Sequence, residues 1–407
     1  MTKSRTFDPG VSCSAALLAD PPDLWSYSSL KAVESCPRRY VLGRSRYPDL
    51  WDRQGYPEVP NSAALFGDVV HDSLEAVVRA LTVRGCTSAR GSEAVEVLKE
   101  LGGYTEIAKQ MLARRLSLLH ENPRVSKGDL DRLTDVLEHR IPEAREEVQH
   151  YLHRMTFTPV RGRASSEGPS DGSLRRARGV GSHPEATLQA DELRLWGRID
   201  LLDVGVERVH ITDYKTGVED DSHMDQLRFY SVLWEQDPIS NEDKRPVGTL
   251  TASYPTRSVT IDAPDPAEME ELTNDLRARV DEADALVLSA EPAAKTGEHC
   301  AFCSVRPLCS AYWRLQPDLA NGKDGSWFDF EGTVVERNGL KSWWLRASGS
   351  TQTQLLLRTT SAHQEFEVGD RLRLLGLRRT EDPETDASVA VLTQRSEVFV
   401  VVDESDF

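Results

Sequence analysis

Gly197-Arg198-Ile199-Asp200-Leu201-Leu202-Asp203-Val204 runs into Gly205, and three residues on the chain reads Val209-His210-Ile211-Thr212-Asp213-Tyr214-Lys215-Thr216-Gly217. Both stretches are rich in branched apolar residues at a period near two, and a glycine lies between them. Trp196–Val204 and Arg208–Asp213 therefore read as strands joined by a turn. On the second strand Val209, Ile211 and Asp213 share one face, and Lys215 continues it. With Asp200 on the neighbouring strand, two carboxylates and one ammonium are predicted to converge at a sheet edge.

Outward from this hairpin, Ala186–Leu195 reads as a further strand. Before it, Arg161–Pro184 is crowded with Gly, Ser, Pro and Arg, lacks any period and reads as a mobile loop. Further upstream the period is 3.6. Helices are expected over Trp25–Tyr40, over Ser62–Leu81 with Leu65, Phe66, Val69, Val70, Leu74, Val77 and Val78 as its apolar stripe, and through most of Ser92–Met155. Downstream come a helix at His223–Trp234, strands at Val247–Tyr254 and Ser258–Asp262, and a long helix at Pro266–Leu288. This order predicts an α/β core decorated with helices.

Oxygen ligands such as Asp200 and Asp213 suit Mg²⁺ or Mn²⁺, which neutralises a phosphate and activates water, and a lysine beside them orients that water or stabilises charge at phosphorus. An isolated Asp-x-Lys is common and reads as a turn with a solvated lysine; the surrounding residues change that reading. Gln226 and Tyr230 stand four apart on one helix face just downstream and offer an amide and a phenol to a nucleic-acid backbone. His71 follows Gly67 by four residues, a bare patch beside an imidazole that a metal or phosphate could approach. Glu185, a strand's length before Asp200, is a further acidic candidate.

The 407 residues exceed one ordinary domain, so two or three are expected. A net charge of −17 excludes a protein that coats nucleic acid through bulk positive charge, but not a nuclease whose carboxylates gather metal at its site. No run of 18 apolar residues is present, so no spanning helix and no membrane association is expected. The opening Met1-Thr2-Lys3-Ser4-Arg5 leads into polar residues rather than a secretory signal. A cytoplasmic location follows, where six cysteines are thiols or metal ligands rather than a disulfide framework.

Cys300, Cys303 and Cys309 form a compact cluster, and Cys36 sits far upstream in Cys36-Pro37-Arg38-Arg39-Tyr40. Four thiolates complete either a zinc site or an iron–sulfur cluster, and the spacing leaves both open. Cys13 and Cys86 lack a partner pattern. After Tyr312 the chain turns all-β: strands are expected at Phe328–Arg337, Ser342–Arg346, Gln354–Thr360, Arg371–Leu377, Ser388–Thr393 and Glu397–Val402. Their number and length suit a small OB-like barrel, with Trp343, Trp344, Arg346, Arg358 and Arg373 as candidates for base stacking and phosphate contact. Alternation turns one of the two tryptophans inward. Protein docking is the other common use of such barrels.

Taken in order, His71, Gly197-x-x-Asp200, Asp213-x-Lys215 and Gln226-x-x-x-Tyr230 resemble the PD-(D/E)XK nuclease superfamily in its RecB-like branch, over roughly Trp25 to Tyr312. The resemblance implies a restriction-endonuclease-like α/β core, a mixed sheet flanked by helices, with a helical insertion. It implies a divalent metal, Mg²⁺ or Mn²⁺, held by His71, Asp200, Asp213 and the backbone carbonyl of Tyr214. Asp200, Asp213 and Lys215 would be the catalytic residues, the lysine assisting the attacking water, and Gln226 and Tyr230 would support DNA binding. Asp213 fills a position often held by glutamate. One N-terminal cysteine with three C-terminal ones resembles the iron–sulfur nucleases, including the AddB nuclease domain and CRISPR-associated RecB-like exonucleases. There a 4Fe-4S cluster on residues matching Cys36, Cys300, Cys303 and Cys309 staples the domain ends together.

The expected organisation is a tail at 1–24, a nuclease domain at 25–315 with a mobile loop at 160–184, and an OB-like domain at 326–407. The expected activity is metal-dependent DNA hydrolysis at single-stranded or free ends, in repair, recombination or phage defence. The alternatives are a hydrolytically inactive iron–sulfur DNA-binding or scaffolding module of a helicase–nuclease assembly, and a zinc-stapled adaptor. No Gly-rich Lys-Ser/Thr phosphate loop is present, so unwinding would come from a helicase partner.

Overall fold

The structure, a computed structural model, describes residues 18–48, 50–160, 176–314, 323–349, 354–360, 365–382 and 387–401. Most of the expected tail, most of the expected mobile loop, and Cys13 lie outside these residues. At the N-terminal side, Cys36 divides what reads as one helix into α1 (Tyr27–Ser35) and α2 (Pro37–Arg44). The physical reason is Pro37, which has no N–H and disfavours helical geometry at the residue before it; Cys36 is accordingly extended, with φ −162°. Helix α3 (Ser62–Arg84) runs until Gly85 adopts a left-handed conformation, φ 78°. It leads a helical lobe of α4 (Ser92–Glu100), α5 (Tyr104–Leu119), α6 (Lys127–Glu138) and α7 (Ile141–Arg154).

The sheet that follows has β1 (Gly181–Ala190), β2 (Leu195–Val204), β3 (Val209–Tyr214), β4 (Val247–Ser253) and β5 (Ser258–Asp262) in that spatial order. All pairs are antiparallel except β3–β4, which is parallel and bridged by the crossover helix α8 (Ser222–Gln236). The long helix α9 (Pro266–Val287) closes this part of the chain. Strand β1 starts before the expected Ala186, within what read as loop, and stops at Ala190 rather than Leu195. A 3-10 turn at Asp191–Leu193, with Arg194 at φ 53°, reverses the chain there. Pro184 is tolerated because β1 is an edge strand.

Helices α1, α8 and α9 cover one face of the sheet, in a core that includes Trp25, Leu30, Ile199, Ile211, Leu233 and Trp234. The helical lobe covers the other face, where Leu201 and Tyr214 join Phe66, Val70, Leu74, Tyr151 and Leu152. The site therefore forms where two cores meet.

After two 3-10 turns (Glu298–Phe302 and Arg306–Leu308) and the short α10 (Ser310–Trp313), the chain builds β6 (Trp327–Arg337), β7 (Ser342–Ala347), β8 (Gln354–Thr359), β9 (Arg371–Thr380), β10 (Ser388–Leu392) and β11 (Glu397–Val400). Strands β6, β7, β8, β10 and β9 pair in a closed circuit, with β8–β10 parallel and β9 returning to β6; β11 adds to β9 outside the ring. This is a five-stranded OB-like barrel around Phe330, Trp343, Leu345, Leu357 and Leu374. Among the described residues no helix is long and apolar enough to cross a membrane.

Candidate active site and cysteine pocket

Strand register places the acidic residues. Pro184 pairs with Leu201 and Leu201 with Thr212, while Ala186 pairs with Ile199. Glu185 on β1, Asp200 on β2 and Asp213 on β3 therefore stand in one row across three strands. Glu185 sits at φ 53°, a left-handed conformation uncommon for a side chain, and its carboxylate is buried. His71, projecting from α3, sets Nε2 3.0 Å from Asp200 Oδ1 and 3.9 Å from Glu185 Oε1. The other oxygen of Asp200 accepts the backbone N–H of Tyr214 at 2.6 Å, which fixes the carboxylate against β3. Arg198 Nε lies 2.6 Å from Glu185 Oε2 at the outer rim.

Lys215 is held from several sides. Its ammonium lies 2.6 Å from Asp213 Oδ2 and donates to Gln226 Oε1 at 2.6 Å. Gln226 in turn donates to the Tyr230 hydroxyl at 2.8 Å. The lysine's backbone N–H donates to Ser253 O on β4 at 2.8 Å, and its carbonyl accepts from the Tyr151 hydroxyl at 2.7 Å. Gln226 and Tyr230, read from the sequence as a face toward nucleic acid, are thus engaged with the lysine, and Tyr230 is buried.

Two glycines permit these approaches. A Cβ on Gly197 would meet Tyr230 Cε1 and Leu233 Cδ1, each at 2.9 Å, so α8 lies directly on β2. A Cβ on Gly67 would meet Thr216 Oγ1 at 2.8 Å. The patch beside His71 that read as an approach for metal or phosphate is filled by the turn after Lys215.

Packing carboxylates in one buried row perturbs Glu185 and Asp213. Burial first, then the neighbouring Asp200 and Glu75 charges, lifts the Glu185 carboxyl to about 7. Burial and Asp200 likewise lift Asp213 to about 7, against the pull of Lys215. Burial opposes a charged His71, yet its hydrogen bond to Asp200 and the charges of Asp200, Glu185 and Asp72 outweigh it and raise His71 to about 9.

The ligand atoms of His71, Glu185 and Asp200 all lie within 4.8 Å of one another. One imidazole and two carboxylates fit a small divalent cation, and a cation there would offset the charge that the row accumulates. Asp213 lies outside that tight set, against Lys215. A second set, His71, Asp72 and Glu75, is as close, but Arg115 binds Asp72 through two contacts of 2.6 Å and Arg79 pairs with Glu75 at 2.6 Å.

A family model for the PD-(D/E)XK nuclease superfamily matches residues 24–310. The chain belongs to the PD-(D/E)XK nuclease superfamily. No curated protein matches it. Among solved structures it is similar to the OB domain of a Methanosarcina mazei protein, at 12% identity over 22% of this chain and 84% of that one, TM-score 0.18. It is also similar to fission yeast Pot1 solved with ssDNA, at 10% identity over 38% of this chain and 61% of that one, TM-score 0.17. A third is a murine DNA-binding protein bound to double-stranded DNA, at 12% identity over 55% and 95%, TM-score 0.17. Likenesses this weak carry no argument; the barrel's own strand circuit defines it.

In this PD-(D/E)XK chain the residues outside the acidic row divide in two. Cys36, Cys300, Cys303 and Cys309 line one pocket, together with Arg39, Lys295, His299 and Arg306. Cys36 is the N-cap of α2, and its sulfur accepts the N–H of Arg39 at 3.5 Å. Four thiols from both ends of the matched region thus line one pocket, one of them receiving a helix N–H, with no three of their sulfurs within 4.8 Å of one another; residues of this type could hold a zinc or iron–sulfur centre. Burial pushes the free Cys303 thiol up, which a bound metal would reverse. Cys86 is packed in the helical lobe.

On the barrel, Trp343 is the inward tryptophan, its ring edge-on to Phe366 at 5.0 Å, while Trp344 and Arg346 face outward on β7. Arg373, expected to meet phosphate, is buried; it pairs with Glu331 and donates to Pro307 O at 2.7 Å. Arg358 pairs with Asp382.

Proposed function

We propose that this PD-(D/E)XK nuclease is a Mg²⁺- or Mn²⁺-dependent deoxyribonuclease of the RecB-like iron–sulfur branch, acting on single-stranded DNA or free ends. The observation that carries the reading is the row Glu185–Asp200–Asp213 set beside a lysine that is anchored at both its ammonium and its backbone. His71, Asp200 and Asp213, with the Tyr214 carbonyl, would hold the cation, and Glu185, whose carboxylate lies within 4.8 Å of the ligand atoms of His71 and Asp200, would join them. A bound cation supplies charge neutralisation at the phosphate and acidifies water.

The chain's own residues do the rest. Asp213 and Gln226 hold the Lys215 ammonium in one place, where it can orient the attacking water and offset charge on the departing oxygen. Gln226 is itself oriented by Tyr230, so the pair acts on the reaction through the lysine. Cys36, Cys300, Cys303 and Cys309 would hold a 4Fe-4S cluster that ties the two ends of the nuclease together. The distance along the chain between Cys36 and Cys300 makes such a tie entropically effective. The outward Trp344 and Arg346 would offer the barrel's contact to single-stranded DNA.

Anaerobically purified protein incubated with labelled single- and double-stranded DNA and Mg²⁺ or Mn²⁺ tests the reading. Cleavage is expected with metal and not with chelator, and Asp213→Ala or Lys215→Ala should lower the rate by at least ~10²-fold while the melt stays cooperative. Wild-type rates in either variant would overturn the assignment. Binding without any cleavage would leave a scaffolding module.

A further inference from the structure

Among the described residues, the barrel meets the nuclease body at the cysteine segment and at the connection between α5 and α6. Arg124, between α5 and α6, has a fully buried side chain. It pairs with both carboxylate oxygens of Glu397 on β11, at 2.7 and 2.9 Å, and also donates to Ser304 O at 2.7 Å and Pro57 O at 2.9 Å. One guanidinium thus ties the helical lobe, the residue after Cys303, and the barrel. From the barrel side, Arg373 donates to Pro307 O at 2.7 Å. Asp329 accepts from Arg306 Nε at 2.7 Å, from the Tyr312 hydroxyl at 2.8 Å and from Gly376 N at 2.8 Å. Trp313 packs with Leu375 and Phe399 in a small apolar core shared by α10, β9 and β11. The stretch from Cys303 to Cys309, which carries two of the four thiols, is therefore held by barrel residues as well as by the nuclease.

We propose that the barrel is the lock of the cysteine centre: Glu397, Arg373 and Asp329 are positioning residues that hold the thiol-bearing segment, through its carbonyls and Arg306, in its metal-binding shape. Docking of the barrel and occupation of the centre then stabilise each other. This rests on the reading of Cys36, Cys300, Cys303 and Cys309 as ligands. The reasoning is linkage. If docking favours the segment's binding conformation, loading must favour docking by the same factor. Removing Glu397's charge leaves Arg124 buried without its counter-charge, which penalises the docked state far more than loss of an exposed pair would. Among the described residues, the junction contacts named above involve neither Trp344 nor Arg346 on β7, so nucleic-acid binding there and locking here are separable.

The test uses the full chain, purified without oxygen. Iron, zinc and sulfide are measured per chain first; a broad absorbance near ~400 nm would report iron–thiolate charge transfer. Hydrogen exchange is then followed in β9, β11 and residues 304–313 before and after stripping the centre with chelator, and in Cys303→Ser. Stripping should speed exchange at these places by roughly tenfold or more while β2 and β3 stay protected. Reciprocally, Glu397→Gln should lose its metal to chelator roughly tenfold faster than wild type, and Glu397→Asp should recover part of the difference. A wild-type chain that carries metal, yet shows equal exchange loaded and stripped and normal retention in Glu397→Gln, would overturn the lock while leaving the ligand reading intact. A chain with neither zinc nor iron would overturn the ligand reading itself.

Discussion

Glu185 is the residue on which the site's pH behaviour turns. Its carboxyl ionises near 4.5 in an unfolded chain and near 7 in the folded one, so its contribution to stability is complete below about 4.5 and is lost as the pH rises through 7. His71, raised from 6.5 to about 9, has the same sign in a higher window: its contribution is complete below 6.5 and is lost as the pH rises through 9. Metal-free protein should therefore weaken steadily from mildly acid to alkaline pH. The metal binds the deprotonated forms, so its stabilising effect should grow over the same range. Thermal melts with and without Mn²⁺ at about pH 6 and about pH 8.5 read this directly, with a larger metal-induced rise in Tm at the alkaline end. Glu185→Gln should flatten both trends. An equal rise at both values would show that the buried row does not hold the ion.

Asp200, Asp213 and Lys215 were legible in the sequence because a strand's period of two assigns side chains to faces. The full importance of Glu185 was not. It lies just outside the stretch that alternates cleanly, at a left-handed residue, and its register with Asp200 depends on a 3-10 turn that no period announces.

At the scale of elements, α8 decides whether these residues meet. It bridges the parallel pair β3–β4, carries Gln226 and Tyr230 to the lysine, and lies so close to β2 that only glycine fits at 197. Gly197→Ala should push Tyr230 and Leu233 outward, cost about 1–3 kcal/mol as overpacking, and loosen the Tyr230–Gln226–Lys215 chain. The expected result is a lower urea midpoint at unchanged m-value together with a lower kcat. A variant as stable and active as wild type would mean that α8 has room to move. The helix itself was readable from its period, but its closeness to β2 was not, since periodicity assigns faces within an element and not the distance between a helix and the strand beneath it. The break at Cys36 was written plainly in Pro37, yet the apolar spacing on either side suggested one continuous helix.

For the whole molecule, the junction changes how the barrel can be examined. Deleting everything after about Ser326 would expose Trp313 and strip Arg124 of Glu397, so any loss of DNA binding in that protein would mix two causes. Point changes on β7 avoid this, because adjacent tryptophans there do opposite work. Trp343 is fully buried and packs on Phe366, so Trp343→Ala should cost about 3–5 kcal/mol and lower Tm without informing on DNA. Trp344 lies half-buried on the outer face, two residues from the exposed Arg346, and Trp344→Ala should lower the melt far less than Trp343→Ala. If that face stacks a base, its loss should weaken single-strand binding roughly five- to 150-fold. The chain carries a net charge of −17, so attraction has to come from a local set of cations, and affinity should fall steeply as salt is raised. Fluorescence anisotropy with a labelled oligonucleotide at two salt concentrations, on wild type and Trp344→Ala, measures both effects. Equal affinity in the two proteins would take DNA off this face and leave the barrel its role at the cysteine segment alone.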